Sequence, residues 1–214
     1  MKKFLTIATG LFFAASINVN AQTKKRSNVE YMSLGPIVGF GHSWVSGKDN
    51  QDFKASVNLG IGLIYSKHEH WGFGADLAVS HEGFKMEDDL TNTELVVNPV
   101  YLRLTPKAYY FFGSYGNKIR PKVYAGPSLA YKVDERVSFN DERLNSDEVK
   151  AVFGKDIFDD ADLGITAGAG LNVELKKGVW LNLDGNYYHG LLDVTDNGGA
   201  NRNLRLNVGV LFGL

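Results

Sequence analysis

The chain has 214 residues, of which 44% are hydrophobic and 22% are charged, and its formal net charge is −1. This composition excludes a disordered chain, and the net charge gives no electrostatic reason to expect nucleic-acid binding. The absence of cysteine excludes disulfides, thiolate metal sites and cysteine nucleophiles.

The N-terminal segment predicts export. Two lysines precede the apolar run Phe4–Ile17, and Val19-Asn20-Ala21 forms a small-residue cleavage site that is imperfect because Asn20 precedes Ala21. This order is typical of a cleaved signal peptide, and the apolar run is too short for a membrane anchor, which needs about 20 residues. We therefore expect cleavage after Ala21. The predicted divisions are a signal peptide (1–21), a short lead-in (22–31) and one domain (32–214).

Eight later segments alternate apolar and polar residues, as strands do. In Asp162–Leu175 (DLGITAGAGLNVEL) every second residue is apolar, and the residues between them are polar or small. Successive side chains of a strand point to opposite faces, so this segment is a two-faced strand. The same pattern predicts strands over Met32–Trp44, Lys54–Ser66, a segment beginning at Trp71, Glu94–Phe112, Pro121–Val133, Asp162–Leu175, Val179–His189 and Asn203–Leu214.

Two local features are expected outside the regular ladder. Pro99 and Pro106 cannot donate a ladder hydrogen bond, so they predict a bulge or bend in the fourth strand. Within the acidic connection Asp134–Ala161, a short helix is predicted to begin with Ser146 as its cap and to end at Gly154.

The lengths of the connections favour a membrane barrel. They contain nine, four, eleven, eight, twenty-eight, three and thirteen residues, so long and short alternate without exception. Outer-membrane barrels have an even number of strands, short periplasmic turns and longer outer loops. The sequence therefore predicts an all-β fold, an eight-stranded antiparallel up-and-down transmembrane β-barrel in the outer membrane.

The two faces of the strands predict which side meets lipid. The polar face is mostly Gly, Ser, Asn and Thr, which suits a narrow lumen, whereas a soluble barrel would expose Lys and Glu. The apolar face tends to end in aromatic residues, which form girdles at bilayer interfaces. In a soluble barrel the same aromatics would be core residues. The predicted interface aromatics are Trp44, Tyr65, Trp71, Tyr110, Phe112, Tyr131, Tyr187 and Phe212.

Three stretches resemble the outer-membrane β-barrel family labelled "porin family protein", which includes PorT-like proteins. Tyr101–Gly113 is similar to the family's Tyr-Leu-x-[Ile/Leu]-Pro run, with Thr105 intervening before the proline. Pro121–Tyr131 is similar to its Pro-Tyr-Val-x-Ala-Gly-Pro block. Tyr187–Asp193 is similar to its Arg-Tyr-x-x-Gly-Leu block, with Asn186 in place of arginine. The resemblance implies an outer-membrane barrel and no defined activity, and it allows a role in assembling a secretion system.

Charged residues on the polar face are expected to form a lumen-facing network. Charges buried in a narrow barrel must pair or stay hydrated. A paired plug is favoured over a selective pore, because eight strands leave little open bore. The predicted network is Asp76, Arg103, Lys107, Lys122, Glu174, Asp184 and Arg205.

The five histidines do not form a metal site in the sequence. His68 and His70 flank Glu69 in a turn, but a catalytic zinc needs a third ligand. A second group, Asp156, Asp159, Asp160 and Asp162, lacks the order of an EF-hand loop. His42 and His81 lie near strand ends. No metal or cofactor is therefore expected.

The sequence gives only weak evidence for a catalytic site. His189 near Asp193 and Asp196 is the one acid–base candidate at a rim, and no serine motif accompanies it. We predict a structural or interaction role without catalysis, with a narrow pore and a rim lipid or peptide hydrolase as alternatives. The expected partners are membrane lipids, the barrel-assembly machinery and a protein bound by loop 134–161, with no nucleic acid.

Overall fold

The computed structural model describes residues 31–47, 50–88, 93–140, 142–153, 157–195 and 198–214. The predicted signal peptide and all of the lead-in except Tyr31 therefore lie outside the described residues. The elements are β1 (Met32–Val45), β2 (Gln51–Asp52), β3 (Ala55–Tyr65), β4 (Trp71–His81), β5 (Phe84–Asp88), β6 (Thr93–Phe111), β7 (Ile119–Phe139), β8 (Glu142–Leu144), α1 (Ser146–Phe153), β9 (Ala161–Lys176), β10 (Val179–Gly190) and β11 (Asn201–Gly213).

Eight of these strands close into an antiparallel barrel. The wall strands are, in order, β1, β3, β4, β6, β7, β9, β10 and β11, and each pairs with the one that follows it. The last strand, β11, pairs back onto β1 from Ser33↔Gly213 to Val45↔Asn201. Closure leaves no free sheet edge around the barrel wall. The predicted eight-stranded up-and-down barrel is confirmed. We call the end that holds Val45 the loop end and the end that holds Met32 the turn end.

The alternation of side chains produces an apolar outside and a polar inside. On the outer face Leu206 is 72% exposed and Phe40 59% exposed. On the inner face Arg103, Lys122 and Asp162 are buried. A soluble protein has the opposite arrangement, with an apolar interior and a polar surface. The two faces differ here because apolar and polar residues alternate with a period of two in every wall strand.

Small residues on the inner face of β9 make room for large ones. A Cβ atom on Gly168 would lie 2.6 Å from the ring of Tyr124, and one on Gly164 would lie 2.5 Å from the ring of Tyr188. Gly170 lies directly against Asp184 in the same way. The glycines therefore set how closely the lumenal side chains of neighbouring strands can pack.

Sheet continues into three of the predicted loops. β2 pairs with β5, β5 pairs with the start of β6, and β7 runs six residues beyond the predicted end at Val133 to pair with β8. The prediction of one loop over Asp134–Ala161 was therefore wrong in its first part. The charged run after Val133 still alternates, with Glu135 and Val137 buried, and the extended β6 supplies a pairing partner.

The predicted helix is confirmed, but its cap differs. The Asn145 side chain accepts hydrogen bonds from the backbone N–H groups of Asp147 (3.0 Å) and Glu148 (3.2 Å), and Glu148 accepts one from the Asn145 N–H (2.8 Å). This reciprocal pattern is a capping box, so Asn145 and not Ser146 is the cap. The predicted end at Gly154 lies outside the described residues.

The prolines of β6 mark irregular pairing. The register between β6 and β7 shifts between Val100 and Tyr101, immediately after Pro99. Pro106 lies opposite Pro127, where the ladder between Leu104↔Leu129 and Ala108↔Ala125 is interrupted. Neither proline can donate a hydrogen bond, which explains the gap. Among the described residues, no helix has the length and apolarity needed to cross a membrane.

Candidate functional site

The loop-end half of the lumen contains a buried ion-pair layer centred on Glu82. Arg103 donates from Nε and Nη2 to the two carboxylate oxygens of Glu82, at 3.0 and 2.8 Å. Arg205 lies 3.6 Å from the same carboxylate, and Ser80 donates to it at 2.7 Å. Glu82 is completely buried, so one carboxylate lies between two guanidinium groups away from bulk water.

Asp162 completes this layer from the other side of the lumen. Its carboxylate accepts hydrogen bonds from Arg103 (2.9 Å), Tyr188 (2.7 Å) and Asn201 (3.0 Å). The Arg103 guanidinium also lies over the Tyr188 ring, 4.1 Å from its centroid. The layer therefore links β6, β9, β10 and β11 through side chains as well as through the backbone ladder.

A second layer lies nearer the turn end. Lys107 pairs with Asp76, and Lys122 pairs with Asp184 at 3.0 Å and also donates to the Asn182 side chain. Asn182 in turn donates to Asp184 at 2.6 Å. Each ammonium group has a carboxylate partner on a different strand, so this layer also crosses between strands.

The charges of the two layers balance. A buried charge without a partner costs several kcal/mol, whereas paired and hydrogen-bonded charges can be held in a dry interior. The four cations Arg103, Lys107, Lys122 and Arg205 face the four anions Asp76, Glu82, Asp162 and Asp184. The two layers therefore carry no excess of either sign to attract a permeating ion.

The space left between the layers is small. One cavity of about 30 Å³ is lined by Thr166, Asn186 and Asn207 among others, and a second of about 10 Å³ lies beside Asp76 and Asp184. Space of this size holds one or two water molecules. Side-chain oxygens of Thr166, Asn186 and Asn207 lack a protein partner, which is consistent with water there.

Apolar clusters close both ends of the lumen. At the turn end Phe111, Tyr109 and Tyr124 pack with Ile64 and Leu211. At the loop end the cluster consists of Val45, Phe84, Val97, Tyr101, Ala130, Val137, Val149, Phe158 and Val194. Its members come from the wall, from α1 and from the loops, so the loops themselves form the outer closure.

Buried polar contacts hold the loop-end closure in place. Glu135 accepts backbone hydrogen bonds from Ile157 (2.8 Å) and Phe158 (3.0 Å), and Lys132 donates to the Phe158 carbonyl. Phe158 also bridges to Thr195 of the last loop. Outside the wall, the hydrogen bond that Lys85 donates to Glu94 raises the pKa of the Lys85 ammonium.

The structure brings together six of the seven residues predicted for the lumen. Glu174 is half-buried near the turn end of β9, and its carboxylate takes part in none of the ion pairs between described residues. Glu82 was missed, although it continues the inward series of Asp76, Ala78 and Ser80. Extending this alternation by two residues beyond Ser80 would have identified Glu82 as inward-facing. The six residues are Asp76, Arg103, Lys107, Lys122, Asp184 and Arg205.

The predicted interface aromatics lie on the outer face at two heights. Near the turn end are Tyr65, Trp71, Tyr110, Phe112 and Phe212, and near the loop end are Trp44, Tyr131 and Tyr187. Trp71 packs edge-on against Tyr110 at 5.2 Å, and Trp44 lies 6.1 Å from Tyr187. Two aromatic levels on either side of an exposed aliphatic band are the pattern expected of interfacial girdles.

The candidate chemical groups are not assembled into a reactive site. The His189 ring packs against Tyr187, and Asp193 accepts a hydrogen bond from the Gly199 N–H at 2.9 Å. Among the described residues, His189 and Asp193 make no contact with each other. Asp156 and Asp196 lie outside the described residues. Across the described residues, no group of three His, Asp or Glu could hold a metal ion.

Comparison with known proteins agrees with this architecture. The family model described as outer membrane protein beta-barrel domain matches residues 12–196. No curated protein sequence matches the chain.

Several solved structures share the fold at low sequence identity. Neisserial surface protein A is 14% identical with a TM-score of 0.53, covering 86% of this chain and 97% of its own. The outer membrane enzyme PagL is 15% identical with a TM-score of 0.50, covering 82% of this chain and 97% of its own. E. coli outer membrane protein W is 13% identical with a TM-score of 0.50, covering 88% and 100%. At such identities the likeness extends to the fold alone.

Proposed function

Because this chain belongs to the outer membrane protein beta-barrel domain family and is located in the outer membrane, we propose that it is a sealed, non-catalytic scaffold. Its lumen serves to stabilise the barrel, and its loops serve to make contacts outside the membrane. The observation that carries the proposal is the balanced, buried ion-pair network between two apolar closures.

The network supports a plug better than a pore. A conducting pore needs a continuous hydrated path, and the two lumenal cavities described above are about 30 and 10 Å³. Opening a path would require moving Arg103 and Lys107 away from their carboxylate partners. Separating such buried pairs is costly, so the closed state is strongly favoured.

The loop-end closure supports a role in display. Outer loops on a rigid barrel commonly carry recognition. Here β7, β8 and α1 project beyond the wall, and Val149 anchors α1 to the apolar cluster. The exposed surface of segment 134–161 is where we propose that a protein partner binds. We also propose that membrane lipids surround the wall and that the barrel-assembly machinery inserts the protein into the membrane.

A hydrolase is less well supported, although PagL has a similar fold and is an enzyme. His189 faces outward from β10 and has no acid partner among its described contacts. The hydrolase alternative would be supported if the wild-type protein hydrolysed a lipid or peptide and the His189→Ala variant did not.

Recording from the purified barrel in planar lipid bilayers tests the sealed lumen. We expect insertion without steady open-channel steps at moderate voltages. Insertion is checked independently by protease protection of the reconstituted barrel. Large, stable conductance steps that scale with the amount of inserted protein would contradict the sealed scaffold and support the narrow-pore alternative.

A further inference from the structure

An outward-facing arc at the loop end combines cations with stacked rings. Trp44 of β1 lies opposite Arg202 of β11, and Arg202 lies opposite His189 of β10. These three residues share the outer face of the sheet, at the height of the loop-end aromatic level. Cross-strand neighbours on one face have their Cβ atoms about 5 Å apart, so the three side chains form a continuous row.

The arc continues onto the segment before β3. The His42 ring stacks against Trp44 at 5.0 Å and against Phe53 at 4.9 Å. The backbone N–H of Lys54 donates to His42 Nδ1 at 3.1 Å, which fixes the ring, and the Lys54 ammonium donates to the Ala55 carbonyl at 2.9 Å. Lys54 therefore places a cation directly after Phe53, whose ring stacks on His42.

The arc differs from the rest of the outer face. No carboxylate is present among the outward-facing residues of β1, β3, β10 and β11, all of which the structure describes. Beside His81 of β4, the outer face of β7 also carries a cation, Arg136, but that guanidinium is paired with the Asp134 carboxylate at 3.1 Å. Below the arc lie the exposed apolar side chains of Phe40, Leu204 and Leu206, so it sits where a lipid headgroup meets its acyl chains.

We propose that this arc binds the phosphorylated, sugar-bearing headgroup of a lipid in the outer leaflet. Arg202 and Lys54 contact the phosphate, because cations near a bilayer surface attract anionic headgroups. The stacked faces of His42, Trp44 and Phe53 pack against the sugar. The acyl chains then follow the apolar wall below. This site is independent of whether the lumen conducts.

The position of the tryptophans provides a reporter. Trp44 belongs to the arc, whereas Trp71 and Trp180 lie at the turn end. A Trp71→Phe/Trp180→Phe barrel therefore reports on the arc alone. We expect a saturable change in its fluorescence when a bisphosphorylated glucosamine lipid (lipid A) is titrated into the detergent-solubilised, folded protein.

Charge variants test which groups bind. Arg202→Gln should weaken the apparent affinity about fivefold, the effect of one interfacial cation. Lys176→Gln, an exposed cation at the turn end, is the matched control and should leave it unchanged. If Arg202→Gln fails the heat-modifiability test for a folded barrel, Lys54→Gln takes its place with the same expectation.

Three results would overturn the proposal. An equal response to lipid A from which both phosphates have been removed would make the contact purely apolar. Saturation by inorganic phosphate alone would make the site one for a soluble anion. Equal affinities in wild type, Arg202→Gln and Lys54→Gln would show that the arc does not carry the headgroup.

Discussion

Glu82 is the carboxylate on which the loop-end layer depends. It follows the last residue of β4, and the chain turns away at Gly83, whose φ of 111° is a conformation that favours glycine. Glu82 thus ends the inward-facing series of β4 and meets Arg103, Arg205 and Ser80. One residue beyond the strand therefore connects both arginines of the layer.

Replacing Glu82 by Gln should destabilise the barrel by about 3 kcal/mol, because Arg103 and Arg205 would lose their shared counter-charge while staying buried. The measurement is the free energy of unfolding in urea from lipid vesicles. Glu87→Gln is the matched control: Glu87 pairs with Lys85 at 3.8 Å on the surface and should change stability by less than about 1 kcal/mol. Equal effects of the two substitutions would show that the buried layer is not stabilising.

β9 shows at the scale of one strand how the lumen is filled. Its inward glycines face Tyr188, Tyr124 and Asp184 on the adjacent strands. The sequence predicted that this small, polar face lines a narrow lumen, and the structure places it there. Which large side chain each glycine meets depends on strand register, which a single sequence does not contain.

A pair of glycine variants tests this packing. In Gly168→Ala the new methyl would lie 2.6 Å from both the Tyr124 ring and the Gly185 carbonyl, so we expect a loss of about 1–3 kcal/mol. Gly185 lies on the lipid face, where the nearest side-chain atom, in Leu206, would be 3.6 Å away. Gly185→Ala should therefore change the unfolding free energy by no more than about 0.5 kcal/mol. The test fails if both variants behave alike in the same urea titration.

The sequence predicted the wall strands well because their signal is local. Alternation alone assigns Arg103 and Lys107 to the inside and Leu102 and Leu104 to the outside, as observed. It does not assign β5, β8 or the extension of β7, whose pairing depends on distant segments. Glu174 illustrates the same limit. It follows the inward parity of β9, but it lies opposite Trp180 near a register shift at the turn end and belongs to neither ion-pair layer.

For the whole molecule, the family match confirms the predicted outer-membrane location, and the closed sheet confirms the predicted architecture. The PorT-like relationship within that family stays a prediction. The central claim is that the barrel is sealed by two ion-pair layers and two apolar closures. Because each part involves side chains from several strands, the seal belongs to the complete barrel and not to any one element.

The absence of cysteine from the chain allows this claim to be tested directly. Thr166 is 4% exposed, lines the 30 Å³ cavity, and its hydroxyl has no protein partner, so Thr166→Cys removes no described hydrogen bond. Ser114→Cys, at an exposed position in a turn, is the reference. The measurement is the rate of modification by a water-soluble, membrane-impermeant thiol reagent applied to the folded barrel. We predict that Cys at position 114 reacts at once and that Cys at position 166 reacts only after unfolding. Comparable rates at the two positions in the folded barrel would contradict the sealed lumen.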